Sequence, residues 1–229
     1  MYPGTSIAAT TVLVASLIAL GSVPVHAQEM ATQDVVPAHV HIRHVANSFR
    51  GTPDQQGLLA TATAEAEIAL QHATLALRDL EDLEAMQRHA GHVAHALDPS
   101  EVEEGPGLGY GMVRAARGAA HYTDLSGASS GAGDAIQTHG PHVATATRSA
   151  VAMAEEALEV TEAVADAETA EEAAQLIERL IALTEGMVNG VDADGDGRIG
   201  WQEGEGGLAQ AEQHLGLLMR GEGLASGSP

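Results

Sequence analysis

Asp192, Asp194 and Asp196 stand at alternate positions, and Glu203 follows seven residues after the last of them. Carboxylates at positions 1, 3, 5 and 12 of a twelve-residue stretch are what a hard divalent cation needs. Ca²⁺ takes six to eight oxygen ligands. In this run, Asp192-Ala193-Asp194-Gly195-Asp196-Gly197-Arg198-Ile199-Gly200-Trp201-Gln202-Glu203, the three aspartates supply three of those oxygens. The backbone carbonyl of Arg198, at position 7, supplies another. Gly197 at position 6 allows the sharp turn that brings that carbonyl round. Gly200 at position 9 has no side chain to offer, so water is expected there. Glu203 closes the far side with both oxygens.

A second chemistry is written in histidine. His41-Ile42-Arg43-His44-Val45-Ala46, His89-Ala90-Gly91-His92-Val93-Ala94 and His139-Gly140-Pro141-His142-Val143-Ala144 share one pattern, at spacings of 48 and 50 residues. Two histidines three residues apart on a helix lie about 60° apart and can grip one ion between them. His72 and His121, 49 residues apart and each followed by x-Thr, are expected on the second helix of a repeating hairpin. His41, His44, His72, His89, His92, His121, His139 and His142 then provide imidazoles from five helices, facing a common axis in the bundle core. Imidazole without thiolate suits Cu²⁺, Zn²⁺ or Ni²⁺, or the iron of a non-covalent haem. His95 and His214 fall outside the repeat and are expected to be incidental.

The elements that must position these groups are helical. Ile68, His72, Leu75 and Asp79 share one face, as do Met86, His89, Val93 and Leu97. The first two copies each run to a proline (Pro53, Pro99), a Gly-bearing loop and a second helix. The third runs on as a long Ala/Glu helix through Met153, Leu158 and Val164. No segment alternates as a strand would, so the fold class is all-α: helical-hairpin repeats forming a bundle. Around the acidic loop, Ile177, Leu180, Ile181, Met187, Val188 and Val191 precede it at helical spacing, and Leu208, Ala211, Leu215 and Leu218 follow it. Helix, twelve-residue loop, helix over residues 174–220 resembles the EF-hand calcium-binding family. That resemblance implies a C-terminal EF-hand helix-loop-helix and bound calcium. EF-hands usually pair, so a single one also implies a homodimer joined through it. Gly204, Gly206 and Gly207 are expected to soften the second helix by about 1 kcal/mol each. Calcium is then expected to bind only at about 10⁻⁴–10⁻³ M.

The first 27 residues carry no charged side chain, and Ala8 to Leu20 is mostly apolar. Val25-His26-Ala27 fits the small-residue cleavage pattern, so residues 1–27 read as a signal peptide, with an uncleaved membrane anchor as the alternative. A periplasmic or secreted location follows. The chain is then expected to divide into a His-rich helical bundle over 28–168, the EF-hand region over 169–220 and a flexible tail over 221–229. Cysteine is absent, which removes disulfides, thiolate metal sites and covalent haem attached through cysteine. A net charge of −22, with ten arginines and no lysine, repels phosphate and argues against a nucleic-acid partner or an anionic membrane surface. The glycine-rich run Gly105–Gly111 follows no strand and reads as a flexible interhelical loop. The function expected is binding of calcium and of a transition metal, without catalysis. The rivals are a haem- or metal-dependent oxidoreductase using the histidine bundle, and a helical scaffold stapled by calcium.

Overall fold

The computed structural model describes residues 35–224 together with Met1. The leader expected over 1–27 and the end of the expected tail lie outside the described residues. Within those residues all regular structure is helical: α1 (Pro37–Ala46), α2 (Leu58–Ala76), α3 (Leu83–Leu97), α4 (Met112–Ala128), α5 (Asp134–Asp166), α6 (Ala170–Asn189) and α7 (Leu208–Gly221), with a 3₁₀ turn at Pro53–Gln55. None of these helices is long and apolar enough to cross a membrane.

Local chemistry sets the helix starts. Pro37 opens α1, where its missing N–H costs nothing. Asp82 caps α3 by accepting from the Ala85 N–H, and Thr169 caps α6 by accepting from Glu172. At the far end of α5 the Gln87 side-chain amide donates to the Ala165 and Ala167 carbonyls at 3.0 and 3.1 Å, tying α3 to it. Glu222, just past α7, accepts from Ile136 N–H and pairs with His39 at 3.1 Å, which joins α7, α5 and α1.

Alanine makes the helices pack closely. On α2 the buried face is Ala62, Ala66, Ala69, Ala73 and Ala76, spaced at fours and threes. With so little side chain between them, α3 seats Met86, Ala90, Val93 and Leu97 against the bundle. Helix α5 runs through the middle, packing on α3, α4, α6 and α7, and it buries Ile136, Val143, Ala146, Ala150, Ala154, Ala157, Val160 and Val164. The boundary expected near residue 168 is a turn between α5 and α6, and both sides of it share one apolar core. The expected hairpins, α1 with α2 and α3 with α4, are not the closest pairs: α1 lies chiefly on α4, and α2 chiefly on α3.

Two glycine-rich segments differ from expectation. The run Gly105–Gly111 wraps a carboxylate: Glu65, fully buried on α2, accepts from the N–H groups of Leu108, Tyr110 and Gly111, each at 3.0 Å. A Cβ on Gly107 would stand 2.6 Å from that carboxylate. Gly204, Gly206 and Gly207 precede α7 instead of weakening it. Gly207 packs so tightly on the end of α6 that a Cβ would meet the Gly190 nitrogen at 2.4 Å. Glycine there permits close approach and costs no helix propensity.

Candidate metal centres

The histidines do not converge on one axis. Among the described residues they form two separate triads built to the same plan. In the first, α3 presents His89 and His92, and α2 presents His72 across the alanine seam. The Nδ1 of His72 lies 3.0 Å from Nδ1 of His89 and 3.3 Å from Nδ1 of His92. In the second, α5 presents His139 and His142, and α7 presents His214. The Nδ1 of His214 lies 3.1 Å from Nδ1 of His139 and 3.3 Å from Nδ1 of His142.

Those distances suit a shared ion better than hydrogen bonds among the rings. A neutral imidazole Nδ1 carries either one proton or one lone pair, so it can properly satisfy only one of its two neighbours. A cation satisfies all three nitrogens at once. For a tetrahedral Zn²⁺ with Zn–N of about 2.0–2.1 Å, two ligand nitrogens stand roughly 3.3–3.4 Å apart. Three imidazoles would leave the fourth position open. Nitrogens this close face a point, not a macrocycle, so neither triad is shaped to hold the plane of a haem.

Electrostatics keeps His72, His89, His92, His142 and His214 ready to bind. Burial, then the neighbouring imidazoles, hold His72 below the ordinary histidine value. Burial also lowers His89, helped by Arg88 and Arg78, and His92, helped by His89, Arg88 and His95. His142 is lowered by burial and then His139, and His214 by burial, His142 and His139. A neutral ring is the form that coordinates metal.

The third His pair has no such partner. His41 and His44 on α1 pack against Tyr122 of α4, with ring centroids 5.8 and 5.0 Å away, and Phe49 completes the group. The Nδ1 of His41 is buried without a hydrogen-bond partner, and Nδ1 of His44 lies 3.3 Å from the Ser48 carbonyl oxygen. His121, expected among the ligands, is exposed. One residue along a helix turns the side chain by about 100°, and it is Tyr122 that faces α1. His214, expected to be incidental, completes the second triad instead. A signal for it lay in the sequence: Gln213-His214 repeats Gln71-His72. His95 contacts the Val102 carbonyl oxygen at 2.6 Å and belongs to the packing.

The acidic loop ties its three aspartates to its own backbone. Asp192 accepts from Gly195 and Gly197 N–H, Asp194 from Asp196, and Asp196 from Arg198, all at 2.8–3.0 Å. Gly195 and Gly197 have φ of +75° and +84°, a conformation that favours glycine. Carboxylate oxygens of Asp192, Asp194 and Glu205 lie within 4.8 Å of one another. Two oxygens on one Ca²⁺ at 2.3–2.6 Å are at most about 5 Å apart, so this set fits the ion. Glu203, the residue expected to close the loop, instead lies along a groove on α5 with Arg148, Ser149, Met153 and Glu156. Glu205 is nearly buried and also accepts from Gly200 N–H at 3.1 Å.

The loop and the second triad touch. Trp201 stacks face-on against His142, with centroids 3.8 Å apart and planes at 18°, and its edge meets His214 at 6.5 Å. No family model, curated protein or solved structure matches this chain.

Proposed function

We propose that this protein binds metal ions, holding a divalent transition metal in each histidine triad and Ca²⁺ in the 192–205 loop. One observation carries this reading: the same three-nitrogen arrangement occurs twice, on different helix pairs. In both, a histidine from an opposing helix completes the pair, with Nδ1 atoms converging at 3.0–3.3 Å. Three neutral imidazoles and no thiolate select Zn²⁺, Cu²⁺ or Ni²⁺ over softer or harder ions. The resemblance of the acidic loop to the EF-hand family, and the grouping of Asp192 and Asp194 with Glu205, support calcium. The leader-like first 27 residues support a periplasmic or secreted setting for this binding.

The test is stoichiometric. Dialysis against Zn²⁺ or Cu²⁺ followed by elemental analysis should find two transition-metal ions per chain. A His72→Ala/His89→Ala double variant and a His139→Ala/His214→Ala double variant should each retain one. Retention of no ion by wild type, or of two by either variant, would refute the reading.

A second reading rests on the open fourth position. Three-histidine sites that leave one coordination place free are the catalytic kind, able to hold water or substrate on the metal. Metal-dependent activity lost in either double variant would favour that reading over simple storage.

A further inference from the structure

The segment joining the acidic loop to α7 does not hang free. It is laid along one stripe of α5, and the residues it meets are His142, Ala146 and Ser149, spaced by four and three as one helix face requires. Trp201 stacks on His142. Gly206 approaches Ala146 so closely that a Cβ would stand 2.7 Å from the Ala146 methyl. The Gly204 N–H donates to the Ser149 hydroxyl oxygen at 3.0 Å.

The other end of this segment is tied to the carboxylates. Glu205 stands with Asp192 and Asp194, and its second contact is the N–H of Gly200, the residue before Trp201. The Glu205 carbonyl also accepts from Val191 N–H at 2.8 Å, closing the base of the loop. A continuous path therefore runs from the acidic cluster through Glu205 and Gly200 to the indole, and from the indole to a ring of the second triad. Helix α7, which carries His214, begins directly after the same segment.

We propose that calcium in the loop and a transition metal at His139, His142 and His214 bind cooperatively through Trp201, calcium tightening this triad alone. The proposal rests on the metal-binding function above and adds its regulation. Without the ion, the loop carboxylates repel one another and slacken the segment that carries Trp201. With calcium bound they are drawn together, Gly200 is held, and the indole is pressed flat on His142. An imidazole whose orientation is already set pays less ordering entropy on ligation, and supporting contacts of this kind change metal affinity by about 10–100-fold. Linkage requires the converse: transition metal in the triad must raise calcium affinity by the same factor. The triad of His72, His89 and His92 lies on α2 and α3, makes none of these contacts, and serves as an internal control.

The experiment uses the full chain and Zn²⁺ titrated calorimetrically against a competing chelator, with calcium saturating and with calcium removed. The His72→Ala/His89→Ala variant isolates the second triad, and the His139→Ala/His214→Ala variant isolates the first. Calcium should tighten Zn²⁺ at the isolated second triad by about fivefold or more and leave the isolated first triad unchanged. Asp192→Asn, at an exposed position, and Trp201→Leu should keep Zn²⁺ binding at the second triad and lose the calcium response. Unchanged Zn²⁺ affinity at the first triad in the Trp201→Leu protein shows that the fold survives. Equal Zn²⁺ affinity with and without calcium at the second triad, or an equal shift at both triads, overturns the coupling while leaving the two binding sites standing. Failure of either triad to bind Zn²⁺ at all overturns the coupling and the proposed function together.

Discussion

Glu65 brings a carboxylate into a place where no water reaches it, and three backbone N–H groups take the place of that water. Removing the side chain would leave those donors buried and unpaired. Glu65→Ala should therefore cost about 3 kcal/mol of stability, read as a lowered midpoint in denaturant unfolding. At the acidic loop, Glu205→Gln should weaken calcium binding more than Glu203→Gln, because Glu205 is the residue assembled with Asp192 and Asp194. Tryptophan fluorescence during calcium titration of the two variants reads this directly. His72, His89, His92, His142 and His214 predict a pH response whose sign follows from their depressed values. Unfolded histidines take up protons below about 6.5, while the folded, metal-free rings resist until lower pH. Their contribution to stability is thus full above 6.5 and is lost as pH falls through the folded values. The metal-free protein should melt progressively lower between pH 7.5 and 5.5, less steeply in the variant lacking both His72 and His89.

At the level of the helices, the same short pattern meets three different partners. The His pair of α3 meets His72, that of α5 meets His214, and that of α1 meets Tyr122. Which residues come together is decided by the one that the opposing helix turns inward. His214→Ala should accordingly remove one bound transition-metal ion, whereas His121→Ala should remove none, as elemental analysis after dialysis can establish. Helix α5 has a further peculiarity in Pro141, between His139 and His142. Proline has no N–H to give the carbonyl one turn back, so the helix lacks a rung beside the second triad.

Across the whole molecule, the fold is held without large core side chains or disulfides, so the proposed ions would add to its stability. The core is largely alanine, each burying little area, and cysteine is absent. Ligands that bind only the folded state add stability by mass action, about 2.7 kcal/mol per site at one hundred times Kd. Saturating Zn²⁺ at both triads should then raise Tm by roughly 10–20 °C for a chain of this size, and by about half that when either triad is removed. Scanning calorimetry gives the comparison.

The all-helical fold was legible in the chain because apolar spacing of three and four needs no long-range information. The acidic loop was legible too, since its aspartates and glycines are neighbours in sequence and their backbone bonds are local. So were the histidine pairs, each set by one helix. What the tertiary structure decided was every meeting between elements. It chose His214 over His121, Glu205 over Glu203, and two three-nitrogen clusters over one common axis. It also filled the glycine-rich run with Glu65 and set Trp201 against His142. Spacing along a helix determines which residues share a face, but the face an opposing helix presents depends on close packing of small side chains around α5, and that is a property of the assembled bundle.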